Sequence, residues 1–114
     1  MKKYMVIYHA PAEAMAKMGT ASQEEKEAGM KAWYDWKNSV GGAVTDFGNP
    51  LVGGVRVLPD GSTQQSTKEV AGYSILQAEN MDVAQSFLKS HPHLAWSDGC
   101  DIEIYECVDM GSGE

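Results

Sequence analysis

Three histidines, His9, His91 and His93, are the side chains here best suited to move a proton near neutral pH. His91-Pro92-His93 sets two imidazoles one residue apart, and Asp46 and Asp98 are carboxylates able to serve beside them. An imidazole next to a carboxylate can take a proton from carbon adjacent to a carbonyl. Each histidine also has a structural use. His91 is placed to cap the last carbonyls of a helix, His93 to pack in the following loop, and His9 to close a strand. Pro92 bends the His-x-His pair, and no other Cys or His spacing supports a metal site. No metal and no cofactor are expected.

Trp33 and Trp36, three residues apart, share one helical face. They either fill the core or form an aromatic wall for a small, flat or apolar ligand. Gly72 and Ser74 would leave room opposite that wall, and Met15, Met18 and Met30 would make it adaptable. His9, Trp33, Trp36 and Ser74 are the expected ligand-binding residues. Catalysis, if the chain performs any, is expected at His91, His93 and Asp46.

Cys100 and Cys107 read as reduced thiols, one of them packed in the sheet. Extended chain between them spans roughly 23 Å, beyond disulfide reach. Cys100 lies among Asp98 and Asp101, which should raise its thiol pKa and make it a poor nucleophile. No nucleophilic serine motif is present, and Gly53-Gly54 does not lead into a helix that could hold phosphate.

The elements that position these residues follow from periodicity. Lys3 to His9 reads as a strand with Tyr4, Val6 and Tyr8 on one face and Met5 and Ile7 on the other. Pro11 to Met18 favours a short helical turn that Gly19 stops. Ser22-Gln23-Glu24-Glu25 is a capping box, and the helix should run from Gln23 to about Ser39. Ala28, Ala32, Trp33, Trp36 and Val40 form its apolar stripe. Short strands are expected over Ala43 to Phe47 and Val52 to Leu58, then a turn at Pro59-Asp60-Gly61-Ser62. A further strand spans Glu69 to Gln77. Asn80 caps a helix to about Ser90, with Val83, Ala84, Phe87 and Leu88 inward. Ile102, Ile104, Tyr105 and Val108 make the last strand.

The order is β-α-β-β-α-β, so an α+β, ferredoxin-like split βαβ fold is expected, with two helices on one face of a four-stranded antiparallel sheet. Residues 1–109 form its single domain, and 110–114 are expected to be a flexible tail. The first strand is apolar on both faces, which predicts a homodimer packed sheet to sheet. This topology gathers His9, His91, His93, Asp98 and Cys100 near one edge. The capped start of the long helix, close by, would suit a small anion.

The 114 residues carry 16 acidic and 9 basic side chains, a net charge of −7, with Arg56 the single arginine. That balance argues against nucleic acid, which demands clustered Lys and Arg. No stretch approaches the roughly 20 apolar residues of a membrane helix. Met1-Lys2-Lys3-Tyr4 opens no signal-peptide core, so a cytoplasmic address is expected.

In this order and spacing, several segments resemble the YCII-related domain family of the dimeric α/β-barrel group. They are Tyr4-Met5-Val6-Ile7-Tyr8, Met30-Lys31-Ala32-Trp33-Tyr34-Asp35-Trp36, and Gly41 through Leu51. The likeness continues in Gly72 through Met81, His91-Pro92-His93-Leu94 and Ile102-Glu103-Ile104-Tyr105-Glu106. The resemblance covers nearly the whole chain and implies a ferredoxin-like protomer and a dimer. Some members are thought to use a His–Asp pair, and a chlorinated-lactone dehydrochlorinase is similar in fold. In that pattern the His lies on the first helix and the Asp near the start of the second strand. Asp46 matches the acid, but Met30 stands where the His would be, so the pair is incomplete. His91-Pro92-His93 resembles a motif of a different subgroup.

Three readings remain open from the residues. One is a cofactor-free isomerase or lyase using histidine acid–base chemistry. A second is a non-catalytic dimeric domain that binds a small organic acid or aromatic ligand. A third is a structural dimer that serves another protein.

Overall fold

The computed structural model describes residues 1–110. The expected tail, apart from Met110, lies outside the described residues. Strand β1 spans Lys2–His9, followed by helices α1 (Ala12–Gly19) and α2 (Gln23–Val40). Short strands β2 (Val44–Asp46), β3 (Val55–Val57) and β4 (Thr63–Gln65) come next, then the long β5 (Val70–Ala78). Helix α3 (Met81–Ser86), helix α4 (His93–Trp96) and strand β6 (Asp101–Glu106) complete the described chain.

The protein is α+β. Four strands form one antiparallel sheet in the order β2-β5-β1-β6, with β1 in the middle. Alternation along β1 turns Tyr4, Val6 and Tyr8 into the core, where each is at most 1% exposed. Leu76 from β5 joins them, and Trp36 from α2, Ala84 from α3 and Leu88 from the turn after α3 close the cluster. Burying each large apolar side chain contributes about 1.5–3 kcal/mol, so this single layer of contacts holds the helices to the sheet.

Helix α2 begins as expected. The Ser22 hydroxyl accepts from Glu25 N–H at 3.1 Å, and the Glu25 carboxylate accepts from Ser22 N–H at 3.0 Å. The cap groups thus satisfy each other. The expected stripe is shorter than its periodicity suggests. Ala28 is exposed, and the helix reaches the core only from Ala32 onward, with Trp36 buried and Trp33 half-buried.

Four further expectations need correction. The segment read as a strand from Val52 to Leu58 contributes only Val55–Val57, which pairs with Thr63–Gln65 in a separate exposed hairpin around the expected turn. The helix from Asn80 stops at Ser86, because single-turn hydrogen bonds replace helical ones at Phe87 and Leu88. Asn80 still caps it, accepting from Val83 N–H at 3.0 Å. Val108 lies beyond β6 and is exposed. Neither thiol is packed in the sheet interior: Cys100 is half-buried and Cys107 exposed.

Candidate functional site

The three histidines are brought together. His93 Nε2 donates to the main-chain oxygen of His9 at 2.7 Å, and His93 N–H donates to His91 Nδ1 at 3.0 Å. His91 and His93 are each 2% exposed, whereas His9 is half-buried at the strand end. The cluster is therefore one chain of hydrogen bonds, with two rings inside the protein and one at its rim.

His91 sits in an aromatic cage. The rings of Trp36, Trp33 and Tyr8 lie 4.3, 4.4 and 4.9 Å from its centroid. Because Nδ1 accepts a backbone N–H, the ring proton belongs on Nε2, which is buried with no hydrogen-bond partner. Aromatic faces give it at best a weak acceptor. Burial, and then the neighbouring His93, lower the His91 pKa to about 3. The ring is neutral at ordinary pH, with its one lone-pair nitrogen already engaged.

The other expected ligand residues also meet protein groups. Ser74 Oγ donates to Phe47 O at 2.6 Å, so the 2.8 Å contact with Tyr8 has the tyrosine hydroxyl as donor. Burial pushes the Tyr8 hydroxyl up to about 12, partly offset by Ser74. Trp33 packs edge-on against Tyr8, and Trp36 Nε1 donates to Phe87 O at 2.7 Å. Trp36 does border a shallow groove of about 370 Å³ with Ala32, Asp35, Ser39, Ser90 and Pro92. Asp46 is exposed, and its carboxylate accepts from Gly48 N–H at 2.9 Å.

A different constellation lies at the rim, around His9. Its Nε2 stands 2.6 Å from Glu103 Oε1, and its Nδ1 lies 3.2 Å from Lys68 O. Tyr105 Oη donates to the other Glu103 oxygen at 2.9 Å. These two donors, Tyr105 first and His9 second, hold the Glu103 carboxyl below its usual range. The site borders a groove of about 440 Å³ whose lining includes His9, Lys68, Glu69, Asp101 and Glu103.

The backbone explains how the rim is built. Antiparallel pairing sets Glu103 opposite Ile7 and Asp101 opposite His9. A register shift between Tyr8 and His9 breaks the ladder with β5 at this point. Glu69, just before β5, adopts φ 57°, a left-handed conformation uncommon for a non-glycine residue. Two bonds hold it there: its carbonyl accepts from Ala10 N–H at 2.9 Å, and its carboxylate from Ala12 N–H at 3.0 Å. The strained residue thereby anchors the start of α1 and follows directly on the carbonyl that faces His9.

Sequence reasoning missed Glu103, Tyr105, Lys68 and Glu69. The available signal was the two-residue spacing of Glu103 and Tyr105, which puts both on one face of β6. Nothing in the sequence marks the 59-residue separation between His9 and Lys68 as a contact. Among the described residues, no group of three His, Cys, Asp or Glu side chains is arranged to hold a metal. No helix of the described residues is long and apolar enough to cross a membrane.

No known family model matches this chain, and no curated protein matches it.

Proposed function

We propose that the chain is a YCII-related, ferredoxin-like protomer of a homodimer, with a cofactor-free acid–base site for a small molecule at the rim of its sheet. The observation that carries the chemistry is the 2.6 Å pairing of His9 Nε2 with Glu103 Oε1 beside an open groove. With Glu103 taking the Nε2 proton, Nδ1 is the nitrogen that receives a proton from the substrate. The Lys68 carbonyl, 3.2 Å away, can only accept, so in this tautomer it makes no hydrogen bond to Nδ1 and leaves its lone pair to the substrate. Proton abstraction next to a carbonyl, followed by return at another carbon or loss of a leaving group, is isomerase or lyase chemistry. The proton is assigned to His9 in place of His91 and His93, because those rings are buried and already hydrogen-bonded within the core.

The sheet order β2-β5-β1-β6 supports the ferredoxin-like reading. Support for the dimer comes from the sheet face turned away from the helices. There Met5 lies between Ile75 and Tyr105, and Ile7 between Tyr73 and Glu103. Such an apolar face suits a second copy. Two free thiols accord with a cytoplasmic address.

The test is proton exchange in D₂O, followed by NMR, on a panel of lactones, 2-oxo acids and aromatic carbonyl compounds. His9→Ala and Glu103→Gln should each lower turnover by about 10²-fold or more. Turnover indifferent to both changes overturns the assignment.

One observation favours a non-catalytic, ligand-binding dimer: both His9 ring nitrogens face acceptor oxygens, and a ring that donates to both has no lone pair left to act as a base. Thermal stabilisation by members of the same panel, with no exchange, would select that reading.

A further inference from the structure

We infer that Tyr105 is a positioning residue for His9, acting through Glu103; this rests on reading the His9–Glu103 pair as the site. Glu103 is an exposed side chain on β6, and its side chain is 51% accessible. A carboxylate held through one oxygen still pivots about its Cγ–Cδ bond, so its hold on an imidazole depends on what fixes its second oxygen. Tyr105 supplies that restraint, donating to Oε2 while Oε1 meets His9. The two oxygens are thus divided between one donor on β6 itself and one on the neighbouring β1.

Strand geometry makes the arrangement specific. Positions 103 and 105 share a face of β6, and β6 pairs with β1 so that Glu103 stands opposite Ile7, two residues from His9. The tyrosine lies on the sheet face turned away from the helices and is 52% exposed in the single protomer, so packing in the protomer core does not account for its orientation. Its hydroxyl is tied to Glu103, whose carboxylate raises the Tyr105 pKa just as Tyr105 lowers that of Glu103. Both directions describe one hydrogen bond seen from its two ends. The other charged groups around His9 are Asp101 opposite it on β6, and Lys68 and Glu69 ahead of β5. His93 meets its main-chain oxygen from α4. None of these contacts Glu103 Oε2 in the hydrogen bonds of the described residues, so Tyr105 acts there alone.

Lys68 O, 3.2 Å from Nδ1, would accept from the opposite tautomer, so the function assigned to Tyr105 is to hold Glu103 where its closer 2.6 Å contact keeps the proton of the neutral ring on Nε2 and leaves Nδ1 to act. This can be read without substrate, from the imidazole ¹⁵N shifts of the ¹⁵N-labelled full chain. Three proteins are compared: the wild type, Tyr105→Phe and Glu103→Gln. In Tyr105→Phe the ratio of Nε2–H to Nδ1–H tautomer should fall by about threefold or more, as expected for loss of one hydrogen bond to a charged group. The Glu103 carboxyl ¹³C titration should move upward in the same variant. Glu103→Gln should change the tautomer ratio at least as much. A ratio changed by Glu103→Gln and untouched by Tyr105→Phe overturns the role of Tyr105 and leaves the His9–Glu103 pair standing. A ratio untouched by either change shows that the pair does not set the ring, and overturns both readings.

Discussion

His93 Nε2 donates a 2.7 Å hydrogen bond to the carbonyl oxygen of His9, joining residues 84 positions apart. The bond ties α4 to the end of the central strand. Through the His93 N–H it also links to His91 and the aromatic cage beneath. His93 is thus the strut on which the rim rests, with half-buried His9 above it and His91 enclosed below.

Replacing that strut should cost stability. His93→Ala removes a buried ring and leaves the His9 carbonyl without this donor. The expected loss is about 2–4 kcal/mol, read from urea unfolding midpoints. The His9 ring signals should broaden in the same variant.

Acid should destabilise the fold through His91. Its folded-state pKa, about 3, lies below the ordinary value of 6.5. The unfolded chain therefore binds the proton first as pH falls. Stability from this group is fully present above pH 6.5 and is lost progressively between 6.5 and about 3. By pH 5 the loss should be on the order of 2 kcal/mol. Glu25 and Glu103, whose pKa values are lowered from 4.5, contribute in a separate window below that value. Unfolding measured from pH 7 to 5 should show the slope in the wild type and lose most of it in His91→Gln. An equal slope in both would assign the acid sensitivity elsewhere.

The Tyr8–Ser74–Phe47 relay should respond asymmetrically. Ser74→Ala strands the Tyr8 hydroxyl and the Phe47 carbonyl together, and should cost about 2–3 kcal/mol. Tyr8→Phe removes a donor while Ser74 keeps its bond to Phe47, so the cost should be about 1 kcal/mol. Thermal unfolding of the two variants distinguishes them by the order of their midpoints.

Gly48 should tolerate no side chain. It has φ +80°, and a Cβ there would fall 1.7 Å from Tyr73 O. Gly48→Ala should cost more than about 3 kcal/mol, combining strain with a clash against backbone of the sheet. Gly53 has φ +67° but open space around it, so Gly53→Ala should cost only about 1 kcal/mol. The difference between their unfolding midpoints isolates the clash.

How much was legible depended on range. The capping box at Ser22 and Glu25, the Asn80 cap, the alternation of Tyr4, Val6 and Tyr8, and the turn at Pro59 to Ser62 all use neighbours in sequence. The exposure of Ala28 was not legible, since periodicity marks a stripe and not the length of sheet beneath it. Nor was the hairpin: Val55-Arg56-Val57 alternates like a core strand, yet it pairs with the wholly polar Thr63-Gln64-Gln65 outside the four-stranded sheet. His91 and His93 stood out as chemical residues because type and spacing carry no information on burial. The rim pair of His9 and Glu103 was hidden by their separation of 94 positions in sequence.

By itself, the sequence determined the acidic surface, the main elements and the inward face of β1, because composition, capping and periodicity act over a few residues. Only the tertiary structure decided which imidazole meets a carboxylate and which are enclosed by rings. Those outcomes follow from strand register and from the path of the chain after α3. Both are set by the packing of distant side chains around Tyr8, Trp36 and Leu76.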